Sequence, residues 1–433
     1  MLPAYIDPGT GSMLFTILLG AITTLYFFAQ KLFMVLKFRL SDGKVEKASA
    51  NKLPYVIFSD GKQYWNVFEP ICDEFEKRKT KLYYWTASPD DPGLEKKYEY
   101  VECQFIGEGN RAFSRLNMMN AGIVLATTPG LDVLQWKRSK NVDWYVHTLH
   151  AAGTSAAGYH MFSLDYYDAV LLTGEFQIDE IRELEHKRNL PEKELEVLGC
   201  TYMDRMWERL KTTEPAKNDG LTVLLAPSWG TSGILSRYGS KMIDALLATG
   251  YKVIIRPHPQ SFRSEKDLMD ELMKKYPDGD QVSWNRDSDN FDCLNQADIM
   301  ISDFSSVMFD YTLIFNKPII YAENTFVKDP YDAAWLDEEM WKFRVLPSIG
   351  LPLKEEDFPR MKEVIAAAVA SDELAAGRDK ARSEAWAHIG ESAKLTVDYM
   401  IRKHEELEQK RAEELKAAGT AGKGKKKAEV KIA

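Results

Sequence analysis

Short apolar runs alternate with amphipathic segments along most of the chain. In the first half these runs lie at residues 55–59, 82–88, 101–106, 122–128, 144–150, 168–174 and 195–200. After the first run, Trp65, Phe68, Cys72 and Phe75 recur at helical spacing, as in a helix that covers one face of a sheet. Because strand and helix alternate, the pattern predicts a parallel sheet with right-handed crossover connections.

The alternation stops at a polar stretch, residues 212–220, and then restarts. The second series of apolar runs lies at residues 221–227, 251–257, 281–284, 298–302 and 317–323. We therefore predict an α/β protein with two Rossmann-like domains, at residues 52–211 and 220–350. Ligands of such sheets bind beyond the carboxyl ends of the strands, so the predicted site lies in a cleft between the domains.

The N-terminal residues 1–40 have a different pattern. Residues 13–30 carry no charge, and at about 1.5 Å per residue this run approaches the roughly 30 Å thickness of a bilayer core. It predicts a retained membrane anchor, with an interfacial or buried helix as the alternative. Lys31, Lys37 and Arg39 follow the run, so the positive-inside rule places the catalytic domains on the cytoplasmic side of the cell membrane.

The C-terminal part of the chain is predicted to be helical and then disordered. Residues 352–410 have helical patterns and are expected to brace the second domain or to cross back to the first. Residues 411–433 are rich in Lys, Ala and Gly and contain few side chains that a core would bury. This composition predicts a disordered tail.

Composition and missing motifs exclude several classes of protein. The formal charge of -9 argues against a nucleic-acid binder, which needs a basic surface. The four cysteines form no C-x-x-C pair, and the seven histidines show no H-E-x-x-H spacing. We therefore expect no metal site, no disulfide framework and no cofactor. Neither a G-x-S-x-G elbow nor a P-loop is present, which argues against serine hydrolases and P-loop enzymes.

The segment Arg-Pro-His-Pro at residues 256–259 ends a predicted strand of the second domain. Its two prolines continue neither a strand nor a helix, so His258 is expected on a stiff turn at the rim of the sheet. Arg256 beside it is permanently charged. A cation next to an imidazole suits a pyrophosphate that gains charge on reaction, so we predict that Arg256 binds substrate and that His258 is catalytic. A capping role at a helix start is the alternative.

A second candidate segment follows the strand at 298–302. Asp303, Ser305 and Ser306 precede a run with helical pattern, so free amides and hydroxyls are expected together at a helix N-terminus. This arrangement predicts an anion-binding site made by these three residues. N-capping by Asp303 or Ser305 is the structural alternative, and both roles are compatible because they use different amides.

His147 and His150 lie at or just beyond the end of a predicted first-domain strand. The small residues at 151–157 allow the backbone to approach a ligand closely. A histidine in this position can take a proton from an attacking hydroxyl. We predict that His150 is catalytic, whereas His147 is the weaker candidate, and a structural role is the alternative for each.

Taken in order, these segments resemble the CDP-glycerol glycerophosphotransferase family of teichoic-acid synthesis. The resemblance covers residues 140–335 and rests on His150, LGCTYMD at 198–204, LLAPSWG at 224–230, RPHP at 256–259, ISDFSSVMFDY at 301–311 and KPIIYAEN at 317–324. RPHP followed some forty residues later by SDFSS is the most specific combination.

The resemblance implies a GT-B fold, with an N-terminal acceptor domain at 52–211 and a C-terminal nucleotide-donor domain at 220–350, and a metal-independent reaction at the cell envelope. A polyol-phosphate unit would pass from a CDP-activated donor to a lipid-linked or polymeric acceptor at the membrane, with release of CMP. His258 resembles the family's pyrophosphate-binding histidine, and Ser305 and Ser306 resemble its phosphate-contacting serines. His150 resembles the histidine suspected as the base. Ser228, in the PSWG segment, is the remaining predicted substrate-binding residue.

Two other interpretations stay open. A glycosyltransferase of the same architecture would use a nucleotide sugar to build a surface polysaccharide. An inactive relative would bind a nucleotide or a lipid and organise an assembly. The second is favoured by two departures from the family pattern, because Gly230 replaces its arginine and a lysine is missing after its first histidine. The sequence does not predict an oligomeric state.

Overall fold

The computed structural model describes residues 52–429, except 217, 288, 304, 324 and 325, and side chains as far as residue 416. Residues from Leu53 onward form one compact unit. The predicted membrane anchor at residues 1–40 lies outside the described residues. Within the part of the chain that the structure describes, no helix is both long and apolar enough to cross a membrane.

The first domain is built on a seven-stranded parallel sheet. Its strands are β1 Leu53–Ser59, β2 Leu82–Thr86, β3 Val101–Phe105, β4 Asn120–Ala126, β5 Asn141–Thr148, β6 Ala169–Leu172 and β7 Glu194–Val197. They lie in the order β3-β2-β1-β4-β5-β6-β7. The seven predicted strands are confirmed. Val56, Ile57 and Phe58 are all fully buried, as expected for a central parallel strand covered on both faces.

Helices on both faces of this sheet supply the cover. They are Trp65–Lys77, Asn110–Asn117, Phe176–Arg188 and Thr201–Thr212, with short 3-10 turns at Lys62–Tyr64, Pro92–Glu95 and Ser155–Ala157. The helix Trp65–Lys77 buries Trp65, Phe68, Cys72 and Phe75, as their spacing predicts. The chain between β4 and β5 makes its crossover without a helix.

The second domain repeats the plan with six parallel strands. They are β8 Thr222–Leu225, β9 Lys252–Ile255, β10 Val282–Trp284, β11 Ile299–Ser302, β12 Ile319–Ala322 and β13 Gly350–Leu353, in the order β10-β9-β8-β11-β12-β13. The sequence predicts the first five. It does not predict β13 because this strand contains Gly350 and Pro352, which are rare in strand interiors; β13 lies at the sheet edge, where proline is tolerated.

The second sheet is also covered by helices on both faces. They are Ile234–Tyr238, Ser240–Leu247, Ser261–Ser264, Lys266–Lys275, Phe291–Gln296, Val307–Phe315, Trp341–Arg344, Leu346–Ile349 and Met361–Ala370, with 3-10 turns at Asp332–Trp335 and Glu355–Arg360. Two parallel-sheet, Rossmann-like domains are therefore confirmed.

The last two helices connect the domains a second time. Asp372–Ala385 packs against Val307–Phe315 in the second domain, whereas Ser392–Glu429 packs against Trp65–Lys77 and β4 in the first. The sequence predicts disorder from residue 411, but the helix continues to Glu429. Alanine, lysine and glutamate have high helix propensity, and extending an existing helix needs no new nucleus.

Two glycines accommodate the segment that returns to the first domain. A Cβ on Gly174 would lie 2.2 Å from the backbone oxygen of Glu384, and one on Gly199 would lie 2.3 Å from that of Ala387. Gly199 also has a φ of 86°, which favours glycine. The Ala387 amide donates a 2.8 Å hydrogen bond to the Thr173 oxygen. The returning backbone therefore lies directly on the carboxyl ends of β6 and β7.

One apolar cluster is shared by the two domains. It joins Ala152, Cys200 and Met203 of the first domain to Met308 and Trp341 of the second, all buried. The two strand rims therefore meet across a packed contact, and the loop after β5 is held against the second domain.

Candidate active site

A cavity of about 370 Å³ opens at the carboxyl ends of the second-domain strands. Five of the residues predicted from the sequence line it: Ser228, Arg256, His258, Ser305 and Ser306. Ala157 and Gly158, from the loop after β5 in the first domain, form part of the opposite wall. The cavity therefore lies between the domains, where the two-domain pattern places a ligand.

His258 is exposed on the turn after β9, and one of its two ring nitrogens accepts a hydrogen bond from the backbone. The Gln260 amide donates a 3.1 Å hydrogen bond to its Nδ1 atom. Nδ1 is therefore an acceptor, and the proton of the neutral ring lies on Nε2. The turn around the ring partly removes it from water although the residue as a whole is exposed, and this desolvation lowers the pKa of His258; Arg256 acts in the same direction, whereas Asp303 and Glu265 oppose the shift. At neutral pH, His258 offers one N–H donor to a ligand oxygen.

The N-terminus of the helix Val307–Phe315 reaches the same cavity through Ser305, Ser306 and Val307. The helix has no side-chain cap at Ser306, and the amides of Met308 and Phe309 donate to the Ser305 and Ser306 oxygens, so the amides of Ser306 and Val307 are the ones available to an anion. Both serine hydroxyls belong to the cavity wall, and Ser306 is exposed. This combination of amides and hydroxyls suits the oxygens of a phosphate group.

Asp303 lies behind the cavity wall, where its carboxylate is fully engaged. It accepts hydrogen bonds from the amides of Ser228 at 3.0 Å, Ile234 at 3.1 Å and Ser305 at 3.2 Å. The side chain is only 2% exposed and does not line the cavity. Asp303 therefore ties the segment after β8 to the segment after β11. Its contact with the Ser305 amide is the capping role that the sequence offered as an alternative.

Ser228 lies in the turn after β8 and faces the cavity with an unsatisfied hydroxyl. Its Oγ is buried and makes no hydrogen bond with the described residues. A buried hydroxyl without a partner carries a desolvation cost, which a ligand in the cavity would remove. Two residues later, Gly230 has a φ of 91°. That conformation favours glycine and accounts for the loss of the arginine expected from the family pattern.

The sequence analysis missed a second cation in the cavity. Lys342, on the helix Trp341–Arg344, lines the wall and is 4% exposed. Burial lowers its pKa to about 8, while Asp303 and Glu180 oppose that shift. Arg256 supplies the other cation and hydrogen-bonds to Asn285. No motif surrounds Lys342, so the only signal was a lysine within an otherwise aromatic and acidic segment.

Aromatic side chains form another part of the wall that the sequence did not predict. Trp229 is 46% exposed, and its ring centroid lies 6.4 Å from that of His258, with the planes tilted by 35°. Phe326 and Tyr331 stack on each other at 5.3 Å and also line the cavity. Exposed ring faces of this kind suit a flat or apolar part of a ligand.

His150 does not line the cavity but lies at the start of the loop that does. Thr127 Oγ1 is 2.6 Å from its Nδ1, and the Tyr64 ring meets its edge at a centroid distance of 5.0 Å. Burial lowers the pKa of His150 to about 4, so the ring is neutral at neutral pH. Further along the loop, Gly153 lies close enough that an added Cβ would be 4.0 Å from Ser306 Oγ.

His147 is fully buried within β5, and its Nε2 lies 3.2 Å from the hydroxyl of Tyr159. This position fits the structural alternative that the sequence left open. Among the described residues, no group of three or more His, Cys, Asp or Glu side chains is arranged to hold a metal ion.

Two parallel-sheet domains with a polar cavity between them have the architecture of the GT-B fold. Residues 200–333 match the family model described as "CDP-Glycerol:Poly(glycerophosphate) glycerophosphotransferase". The match confirms, for this part of the chain, the resemblance predicted from the sequence, and it supports an enzyme of the transferase class. No curated protein matches the chain by sequence.

Two solved structures show the same fold at low sequence identity. The wall teichoic acid polymerase TagF, as an H444N variant with CDPG, is 14% identical with a TM-score of 0.52, covering 82% of this chain and 89% of that one. A putative UDP-N-acetylglucosamine 2-epimerase from Listeria monocytogenes is 11% identical with a TM-score of 0.55, covering 82% and 97%. At these identities the likeness concerns the fold.

Proposed function

We propose that this protein is a membrane-associated transferase that moves a glycerol-phosphate, or related polyol-phosphate, unit from a CDP-activated donor to a cell-envelope polymer or lipid-linked acceptor. The observation that carries the proposal is the convergence of His258, Ser305, Ser306 and two cations on one cavity. Neutral donors, the amides of Ser306 and Val307, and positive charge together match a pyrophosphate better than they match an uncharged ligand.

In this proposal the donor pyrophosphate lies against the helix N-terminus. Ser305, Ser306 and the first amides of the helix bind one phosphate, and the Nε2–H of His258 donates to the bridging or leaving oxygen. Arg256 and Lys342 stabilise the negative charge that grows on the leaving group. Lys342 takes over the role left open by Gly230.

The proposed reaction is a displacement at the β-phosphorus. An acceptor hydroxyl oxygen forms a bond to that phosphorus, and the bond from the phosphorus to the bridging oxygen breaks. The bridging oxygen leaves with CMP and keeps the electron pair of the broken bond. The hydroxyl proton passes to Nε2 of His150, which is neutral at neutral pH and therefore able to accept it.

We further propose that residues 1–40 hold the enzyme on the cytoplasmic face of the cell membrane, close to a lipid-linked acceptor. The support is the charge-free run at 13–30 followed by cations. The test compares the full chain with a variant lacking residues 1–40. The full chain should sediment with membranes and need detergent for release, whereas equal sedimentation of the truncated variant would contradict the proposed anchor.

The activity is tested by incubating the full chain in detergent with CDP-glycerol, CDP-ribitol or nucleotide sugars and a membrane extract as acceptor. The released nucleotide is identified for the wild type, for His258→Ala and for His186→Ala. His186 is exposed on the helix Phe176–Arg188, outside the cavity wall, and serves as the matched control.

CMP release from one CDP donor, lost in His258→Ala and kept in His186→Ala, is the expected result. Release of UDP or GDP from a nucleotide sugar would replace the proposal by a glycosyltransferase. Tight nucleotide binding without turnover of any donor would favour an inactive nucleotide-binding protein.

A further inference from the structure

We propose that Thr127 is a positioning residue for His150: its hydroxyl orients the imidazole and accepts a hydrogen bond from Nδ1–H, which leaves Nε2 able to accept a proton. The inference rests on the proposed function, because it takes His150 as the base. It adds a residue to which neither the sequence motifs nor the family resemblance assigns a role.

The two residues meet because they follow neighbouring parallel strands. Thr127 comes directly after β4, and His150 follows the end of β5 by two positions. β4 and β5 are paired in register up to Ala126 and His147. The carboxyl ends of adjacent parallel strands lie at the same edge of a sheet, so the fold brings the Thr127 side chain to the imidazole.

The contact is short and the threonine is rigidly held. Thr127 Oγ1 lies 2.6 Å from His150 Nδ1, and Thr127 is fully buried. The ring is also confined by Tyr64, edge-on at 5.0 Å, and by Tyr159 at 6.3 Å. A fully buried side chain is held by its packing and therefore fixes the orientation of its partner better than an exposed one.

The chemistry of the imidazole gives this contact a consequence. A neutral imidazole carries one proton, so when Nδ1–H donates to the Thr127 oxygen, Nε2 keeps its lone pair. Nε2 makes no hydrogen bond with the described residues. The other tautomer would place the proton on Nε2 and abolish its ability to act as a base. A hydroxyl can accept a hydrogen bond from Nδ1–H or donate one to an unprotonated Nδ1, and the proposal requires the first of these arrangements.

A hydroxyl and a carboxylate differ as partners of a histidine. A carboxylate at Nδ1 would stabilise the protonated ring by its charge. Thr127 orients the ring without adding a charge, so the ring stays neutral and ready to accept a proton. Thr127 thus sets the position and the tautomer of the His150 ring without raising the pKa of that ring.

Two variants separate the hydroxyl from the shape of the side chain. Thr127→Val keeps the branched shape and removes the hydroxyl, whereas Thr127→Ser keeps the hydroxyl. We expect kcat to fall about tenfold in Thr127→Val, as for loss of one hydrogen bond of roughly ordinary strength, and to recover in Thr127→Ser. KM for the donor should not change, since the proposed donor site lies in the second domain. Equal kcat in Thr127→Val and the wild type would overturn the proposal.

A second measurement does not depend on turnover. Nitrogen-15 NMR of the full chain in detergent, with labelled histidine, reports which ring nitrogen carries the proton, and His150→Gln identifies the signal by its disappearance. The expected spectrum shows Nδ1–H for the wild type and Thr127→Ser, and a mixture for Thr127→Val. An Nε2–H signal in the wild type, or one unchanged by Thr127→Val, would contradict the inference.

The two measurements also distinguish this inference from the proposed function. If no donor is turned over but His150 keeps Nδ1–H only when the hydroxyl is present, the proposed reaction is wrong and the positioning contact stands. If CMP is released and His150→Gln is inactive but Thr127→Val is unaffected, the reaction stands and the positioning role is wrong.

Discussion

Three imidazoles around the two strand rims are kept neutral by their surroundings. Burial lowers the pKa of His147 to about 3 and that of His150 to about 4, and it also lowers the pKa of His258. Each depends on a neighbour, Tyr159, Thr127 or the Gln260 amide, for its orientation. At neutral pH these rings serve as donors or acceptors without adding charge to the site.

The buried state of His147 predicts acid sensitivity. The unfolded chain binds a proton at this histidine near pH 6.5, whereas the folded chain does not until about pH 3, so stability is lost as the pH falls below 6.5. We expect His147→Gln to reduce that loss by about 2 kcal/mol at pH 5. Denaturant unfolding at pH 7.5 and pH 5 measures the effect, with exposed His186→Gln as control. Equal pH dependence of wild type and His147→Gln would contradict this account.

The cation of Lys342 predicts a charge effect on ligand binding. Replacing it in Lys342→Met should weaken CDP binding about tenfold, because a charge-assisted hydrogen bond to phosphate contributes on the order of 1.5 kcal/mol. Since burial lowers the pKa of Lys342 to about 8, wild-type affinity should also fall between pH 7 and pH 9. Calorimetry measures both, and Lys97→Met, at an exposed lysine, should bind as the wild type does. An unchanged affinity in Lys342→Met would remove this lysine from the site.

Residues in strand-end motifs were recognisable from the sequence, whereas residues brought in by long-range packing were not. Arg256, His258 and Ser305 lie beside strands that the apolar pattern marks, so their position at the rim follows locally. Thr127 reaches His150 only because β4 and β5 are neighbours in the sheet. Lys342 reaches the cavity only because a short helix packs there. Asp303 was recognised as important, but its position behind the wall depends on the amides of Ser228 and Ile234, which lie about seventy residues away along the chain in the segment after β8.

At the scale of elements, the carboxyl ends of the strands determine what can pack beside them. Gly174 and Gly199 follow the ends of β6 and β7 by two residues, and the backbone at 384–387 crosses both. The sequence marks a glycine-aspartate segment at 198–204 but does not reveal what lies against it. Asp204 completes the contact by accepting a 2.9 Å hydrogen bond from the Trp386 indole.

This close approach predicts that Gly174 tolerates no side chain. In Gly174→Ala the new Cβ would lie 2.2 Å from the Glu384 oxygen, so the returning segment must shift. We expect the free energy of unfolding to fall by about 2 kcal/mol, as for an overpacked core. Thermal and denaturant unfolding measure the change. Gly279→Ala, whose nearest neighbour would be 3.9 Å away, is the control and should change stability little. A Gly174→Ala variant as stable as this control would show that the segment is not held tightly.

At the scale of the whole molecule, the alternation of apolar runs was enough to predict two parallel-sheet domains. It was enough because parallel strands buried on both faces are nearly continuous in apolar residues. The pattern did not show that the first domain needs the end of the chain. Val397, Tyr399 and Met400 are buried in the core around β1. The amphipathic pattern of a helix predicts that one face is buried but does not indicate which sheet that face covers.

The first domain should therefore not fold without the last helix. A chain that ends at residue 391 lacks Val397, Tyr399 and Met400 and is expected to be insoluble or unfolded, since it exposes the sheet face that they cover. A chain that ends at residue 416 keeps them and should unfold within about 0.5 kcal/mol of the full chain. Soluble expression and circular dichroism compare the two. A folded protein ending at 391 would show that the first sheet is sufficient by itself.

The return of the chain to the first domain also determines how the domains can move. The chain passes between them twice, at the linker 213–220 and again at 386–391. Two covalent connections define one line. Opening and closing of the cleft would therefore be a rotation about that single hinge axis, whereas a single connection would allow rotation about several axes. Such a hinge would bring the loop after β5 repeatedly to the same place opposite Ser306. The return crossing would therefore let the two half-sites meet in one register whenever the cleft closes.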